Sequence, residues 1–181
     1  PTVYYGLMYL AKNAKKEVKI HTPYIICNDY MYNELKNIKV PTTIMTNSAE
    51  NNGNIFGAVD YLNHKKDIIN TGVTIKEYEG GISYHGKSMT IDDDIAIVGS
   101  FNMDMRSAYI DTELMLVINS KYINKQLKAS MEEYEKKAAT VKNETEYSHI
   151  PEEMKMKELS DKKKNIKAWF GWAMNGLRFL F

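Results

Sequence analysis

His85 and Lys87 stand two residues apart, and Asp92, Gly99, Ser100 and Asn102 follow within the string YHGKSMTIDDDIAIVGSFNMD. On a strand, residues two apart point to the same face, so an imidazole and an ammonium would emerge together. Ser100 and Asn102 repeat that spacing on the next strand or just beyond it. If the two strands pair, an imidazole, an ammonium, a hydroxyl and an amide converge. That set suits a phosphate group. Lysine supplies a fixed positive charge, serine and asparagine supply neutral hydrogen bonds, and histidine can attack phosphorus or move a proton. Gly99 permits close approach of a backbone or a substrate. Asp92 has the opposite parity and falls in the turn Asp92-Asp93-Asp94, so its expected role is structural, accepting hydrogen bonds from backbone N–H groups. The arrangement calls for no metal and no cofactor.

The elements that must position these residues can be read around them. A helical stretch YYGLMYLAKNAKK precedes the apolar strand EVKIHTPYI. NDYMYNELKNIK reads as a short amphipathic helix with Asn28 or Asp29 as its N-cap. TTIMTNS is a second strand, the helix NIFGAVDYLNHKKDIINTG stops at Gly72, and VTIKEYEG is a third strand. TELMLVINS follows as a strand, and KYINKQLKASMEEYEKKAATV as a helix. Alternating strands and helices followed by adjacent strands predict an α/β fold, a mixed β-sheet flanked by helices on both faces, in a single repeat.

The 181 residues fit one domain with room for a tail. We place a catalytic half-domain at 1–147 and a basic, aromatic tail at 148–181. In that tail, residues 162–181 suit a helix at a membrane surface or one docked on the core. The formal charge of +1 argues against a broad nucleic-acid surface. Cys27 is the only cysteine, so no internal disulfide forms, as in a reducing compartment. His21 reads as a satisfied core residue, His64 as a surface one, and His149 has no assigned role. The chain opens on Pro1 without a signal-peptide pattern and reads as a fragment.

The pattern His-x-Lys-x4-Asp-x6-Gly-Ser-x-Asn resembles the HKD motif of the phospholipase D superfamily. TPYI, TNS and GSFNMDMRSAYIDTELMLVI, in that order, resemble the second half of bacterial cardiolipin synthases. The resemblance covers roughly residues 15 to 140. It implies a phospholipase D-like α-β-α sandwich and displacement at a phosphodiester through a phosphohistidine intermediate. It also implies that His85 acts as general acid and base, protonating the leaving alcohol and activating the incoming one. Lys87 and Asn102 would bind the nonbridging phosphate oxygens, with Ser100 in support. Glu113 matches an acidic residue that accepts a hydrogen bond from the motif histidine. Such a carboxylate fixes the tautomer and raises imidazole basicity; an ion pair with Arg106 is the alternative. Relatives often carry proline at the position of Cys27 and a histidine near Gly57 or Ala58, which this chain lacks.

One imidazole cannot easily carry phosphate and protonate the leaving group in the same step, and this chain has a single motif. The expected partners are therefore a missing N-terminal half with a second motif, or a second copy of the chain, together with a phospholipid such as phosphatidylglycerol. The implied location is peripheral, on the cytoplasmic face of the membrane. The alternatives are a phospholipase D-type hydrolase, a metal-independent nuclease working as a homodimer, and a non-catalytic dimerisation or lipid-binding module.

Overall fold

The computed structural model describes residues 2–170, 176 and 178. Helix α1 (Thr2–Lys12) buries Tyr4, Leu7, Met8 and Ala11, the three-and-four spacing of one apolar stripe. Strand β1 (Val18–His21) follows, then β2 (Ile25–Ile26). The single strand expected over residues 17–25 is thus two, because Pro23 between them has no N–H for a ladder. Helix α2 (Asp29–Lys36) opens on Asn28, whose side chain accepts from the Met31 amide. Then come β3 (Thr42–Asn47), α3 (Ile55–Ile69) and β4 (Thr74–Tyr78). The turn out of α3 passes through Gly72 at φ 86°, a left-handed conformation that glycine adopts without steric cost.

A hairpin of β5 (Ser88–Ile91) and β6 (Ile95–Gly99) leads to β7 (Met103–Asp104), α4 (Met105–Tyr109) and β8 (Met115–Asn119). Helix α5 (Lys121–Glu135), β9 (Ala138–Val141), β10 (Tyr147–His149) and α6 (Asp161–Phe170) complete the order. Eight strands form one sheet in the order β10-β9-β4-β3-β1-β5-β6-β8, while β2 and β7 pair separately. The central strands β1, β3 and β4 are parallel; the flanking pairs are antiparallel. Neighbours along β4 show the two faces. Lys76 pairs with Glu135 on α5. Glu77 meets Lys65 at 2.7 Å and the Tyr61 hydroxyl at 2.6 Å, both on α3. Successive side chains of a strand point to opposite faces, so helices cover both sides of this mixed sheet, as expected.

Two segments differ from the expectation. The helix read through to Val141 stops at Glu135, and residues 138–141 form β9 on the free edge of β4. Ala-Ala-Thr-Val can serve either state, and the unpaired edge of β4 decides it. The composition change at 147/148 falls inside β10, which pairs with β9 in the main sheet. The described part of the tail then lies against the body. Ser160 N–H donates to the Glu50 carboxylate at 2.9 Å, Lys163 Nζ donates to the carbonyls of Ala49, Glu50 and Asn52, and Arg178 Nε pairs with Asp60 at 2.6 Å. Among the described residues no helix is long and apolar enough to cross a membrane. Trp169 is exposed; Trp172 and the rest of 171–175, with 177 and 179–181, lie outside the described residues.

Candidate active site

Residues 83–87 form no strand; β5 begins at Ser88. His85 and Lys87 still come together. Lys87 Nζ donates to the His85 carbonyl at 2.8 Å and stands 3.0 Å from Nδ1 and 3.3 Å from Nε2 of the ring. Loss of hydration pushes the His85 pKa below its ordinary value, and the neighbouring ammonium pushes it further down. The ring is therefore neutral at pH 7, able to accept a proton or act as a nucleophile. Burial likewise lowers the Lys87 pKa, against the opposing charges of Glu113 and Asp104.

A second polar group is built where β6 gives way to α4 and β8. Ser100 Oγ donates to Glu113 Oε2, and accepts from Leu114 N at 3.0 Å. Ser107 Oγ donates to Glu113 Oε1 at 2.7 Å, and accepts from Asn102 at its backbone N, 3.2 Å, and Nδ2, 3.3 Å. Glu113 thus holds Ser100 directly and Asn102 through Ser107. Asn102 Oδ1 is buried and has no hydrogen-bond partner. The backbone joins the two groups, as the Gly99 N–H donates to the Lys87 carbonyl at 3.2 Å.

The Glu113 bond expected with His85 is absent in this chain, and so is the alternative pair with Arg106. Both carboxylate oxygens are taken by serine hydroxyls, and Arg106 pairs with Asp111 at 3.0 Å. Gly99 makes room for a neighbouring backbone. A Cβ there would lie 2.1 Å from the Leu114 carbonyl oxygen, so only glycine lets β8 begin this close. Asp92 does bind backbone N–H groups, but those of Lys15, Lys16 and Glu17 at the entry to β1, rather than those of its own turn.

His85 and Lys87 open onto a cavity of about 550 Å³ between the 82–88 segment, β6 and α5. Its wall includes Tyr78, Tyr84, Tyr134 and Met131; Ser100, Asn102 and Glu113 do not line it. The three tyrosine rings meet edge to face, with Tyr84 and Tyr134 centroids 4.8 Å apart and Tyr78 within 6.0 Å of both. The sequence reading missed this wall, because Tyr78, Tyr84 and Tyr134 come from three separate segments. It also missed Ser107 and Asp104. The Asp104-x-x-Ser107 spacing did carry a signal, since Asp104 caps α4 by accepting from the Ser107 amide.

The remaining histidines sit apart from this chemistry. His21, as expected, is in the core, 1% exposed, with Nε2 3.2 Å from Glu135 Oε1. Burial holds its pKa below the ordinary value. Nδ1 has no partner, and protonating it would leave a buried N–H unpaired, so the ring is neutral. His64 lies 3.0 Å from Asp67 on α3, and His149 is on β10. Cys27 is free and buried, its thiol pKa pushed up by burial. No group of three histidine, cysteine or acidic residues able to hold a metal occurs among the described residues.

The family profile described as cardiolipin synthase, PLD-like domain, matches residues 7–134. Cardiolipin synthase 1 of Staphylococcus epidermidis is 30% identical over 157 residues, covering 85% of this chain and 31% of that protein. A cardiolipin synthase of Staphylococcus aureus is 32% identical over 127 residues, covering 68% of this chain and 25% of that one. The chain therefore spans under a third of the length of these relatives. Among solved structures, phosphatidylserine synthase of Haemophilus influenzae aligns with a TM-score of 0.70 at 17% identity, over 97% of this chain and 44% of that one. Nuc of Salmonella typhimurium, a phospholipase D family member, aligns at 0.61 and 17%, over 76% and 89%. At such identities the likeness to the solved structures is one of fold.

Proposed function

This chain belongs to the cardiolipin synthase family of phospholipase D-like domains, and from that premise we propose that it is one catalytic half of a phosphatidyltransferase. The observation that carries the reading is the meeting of His85 and Lys87 at the mouth of a cavity with an apolar, aromatic wall. The ammonium would hold a phosphodiester oxygen. The tyrosine and methionine wall would take an apolar part of the substrate, as suits a phospholipid such as phosphatidylglycerol. Asn102 does not line that cavity, but the Glu113 that holds its group lies near enough for its charge to act on Lys87, and from there Asn102 would reach the same phosphate.

The chemistry is two displacements at phosphorus. A histidine nitrogen attacks, the P–O bond to the first alcohol breaks, and that oxygen takes a proton. The second alcohol gives up its proton and attacks, releasing the histidine. A neutral His85 can supply the lone pair or remove the second proton. Protonating the first leaving oxygen needs a charged imidazole, and Lys87 opposes that charge. A carboxylate against the ring would favour it, and this chain's Glu113 is committed elsewhere. A second half would complete the site with another imidazole and another carboxylate. The 44% of the aligned phosphatidylserine synthase that this chain covers supports such a division.

The face for that half is the groove between α1 and β8, about 440 Å³, which Glu113 also lines. Along it Tyr9, Leu114 and Val117 are exposed, a grouping that marks an interaction surface. The exposed Lys162, Lys164, Lys167 and Trp169 of α6 suit a peripheral membrane contact.

Phosphatidylglycerol vesicles are incubated without metal, with the chain alone and with a domain carrying a second His-x-Lys pair. Transfer or hydrolysis products that His85→Ala abolishes support the reading. Metal-free cleavage of single-stranded DNA with inert vesicles would replace it by the nuclease. Activity unchanged in His85→Ala removes the catalytic assignment.

A further inference from the structure

The segment that carries His85 has no strand ladder, so its backbone groups must find partners elsewhere. They find them in the loop that leaves β3. Asn47, the last residue of β3, is 1% exposed. Its Oδ1 accepts from Tyr84 N at 2.8 Å, and its Nδ2 donates to Tyr84 O at 2.9 Å and to Pro23 O at 2.8 Å. The side-chain amide thus pairs with Tyr84 at both its N–H and its C=O, as a neighbouring strand would. Asn51 Nδ2 donates to Asn47 Oδ1 at 3.1 Å and to Ile82 O at 3.1 Å. Gly53 N donates to Ser83 Oγ at 3.1 Å. The three residues immediately before His85 are therefore all held by one loop, and the tightest grip is on the nearest.

We propose that Asn47 and Asn51 are positioning residues for His85, acting through the backbone of residues 82–84. The proposal rests on the reading of His85 as the reacting residue. Its logic is geometric. His85 is exposed, and its ring meets the Lys87 ammonium. Its orientation is then set by the backbone that enters it. The Tyr84 ring, packed on Tyr134 and 5.6 Å from His21, anchors the same residue on its other side. With Tyr84 held by backbone and ring, the imidazole and Lys87 keep their spacing without a strand beneath them. A reacting group displaced by about 1 Å can lose two orders of magnitude in rate, so such a clamp bears on chemistry.

The test compares Asn47→Asp and Asn51→Ala with Asn124→Ala. Asn47→Asp removes both donors and sets a carboxylate against two carbonyls. Asn51→Ala removes only the outer pair of bonds and keeps the test readable if the first variant does not fold. Asn124 is as buried as Asn47 and holds Ile95 O at 2.7 Å, away from His85. Ring NMR gives the His85 titration midpoint, and orthophosphate titration gives the affinity of the site. In the clamp variants the midpoint rises toward the ordinary histidine value as the ring leaves Lys87, and phosphate affinity falls about tenfold. The Asn124 variant moves neither. Folded Asn47→Asp and Asn51→Ala proteins with unchanged midpoint and affinity overturn the proposal. A wild-type chain that does not bind phosphate defeats the active-site reading instead, and the midpoint still decides the clamp.

Discussion

At the scale of single residues, the central pair is an electrostatic conflict. His85 and Lys87 are both able to carry positive charge within 3.0 Å of each other. Loss of hydration is the larger influence on His85 and the lysine the second. Replacing Lys87 by methionine removes a like charge, so the charged imidazole becomes less costly and the His85 midpoint rises. It stays below the ordinary value, because the desolvation remains. NMR titration of the ring in Lys87→Met checks this, and an unchanged or lower midpoint contradicts it. The identities of His85 and Lys87 were legible because their chemistry depends on two positions close in sequence. The partner of Glu113 was not. Which hydroxyl or ring a carboxylate meets depends on how α4 and β8 turn, and Ser107 proved to stand in its path.

At the scale of elements, Asp92 shows a local residue with a long-range task. It sits at φ 51° at the tip of the β5–β6 hairpin, a left-handed conformation that Asp and Asn tolerate better than most residues. Its carboxylate ties that tip to the entry of β1 through the amides of Lys15, Lys16 and Glu17, at 2.7 to 3.2 Å. Burial alone would raise its pKa, but the three backbone donors outweigh burial and lower it. A carboxyl depressed in the folded state adds stability that is fully present above its ordinary value of 3.8 and lost as pH falls below it. Asp92→Ala should cost about 2 kcal/mol at pH 7, and the deficit should shrink near pH 3. Denaturant melts at the two pH values check both statements. A structural role at a turn was legible for Asp92. Its acceptor role across the fold was not, since residues 15–17 come near only after β1 pairs with β5.

At the scale of the molecule, the polar ties of Ser160, Lys163 and Arg178 hold the described tail to the body, while α1 and β8 leave an apolar face open. If that face meets the second half, the isolated chain should self-associate through it at high concentration. Val117→Glu, at a groove-lining site 47% exposed, should abolish this in sedimentation experiments while shifting stability by no more than about 0.5 kcal/mol. Association unaffected by the substitution would place the interface elsewhere.

The sequence by itself determined that His85 and Lys87 come together, that Asp92 sits at a turn, and most helices and strands. Side-chain type and short-range periodicity act locally, so they can be read along one line of residues. The tertiary structure alone decided that 138–141 completes a sheet edge, that Gly99 makes room for Leu114, and that the amide of Asn47 grips the residue before His85. Each of these depends on which distant segments share a register, and that follows from burying one common core.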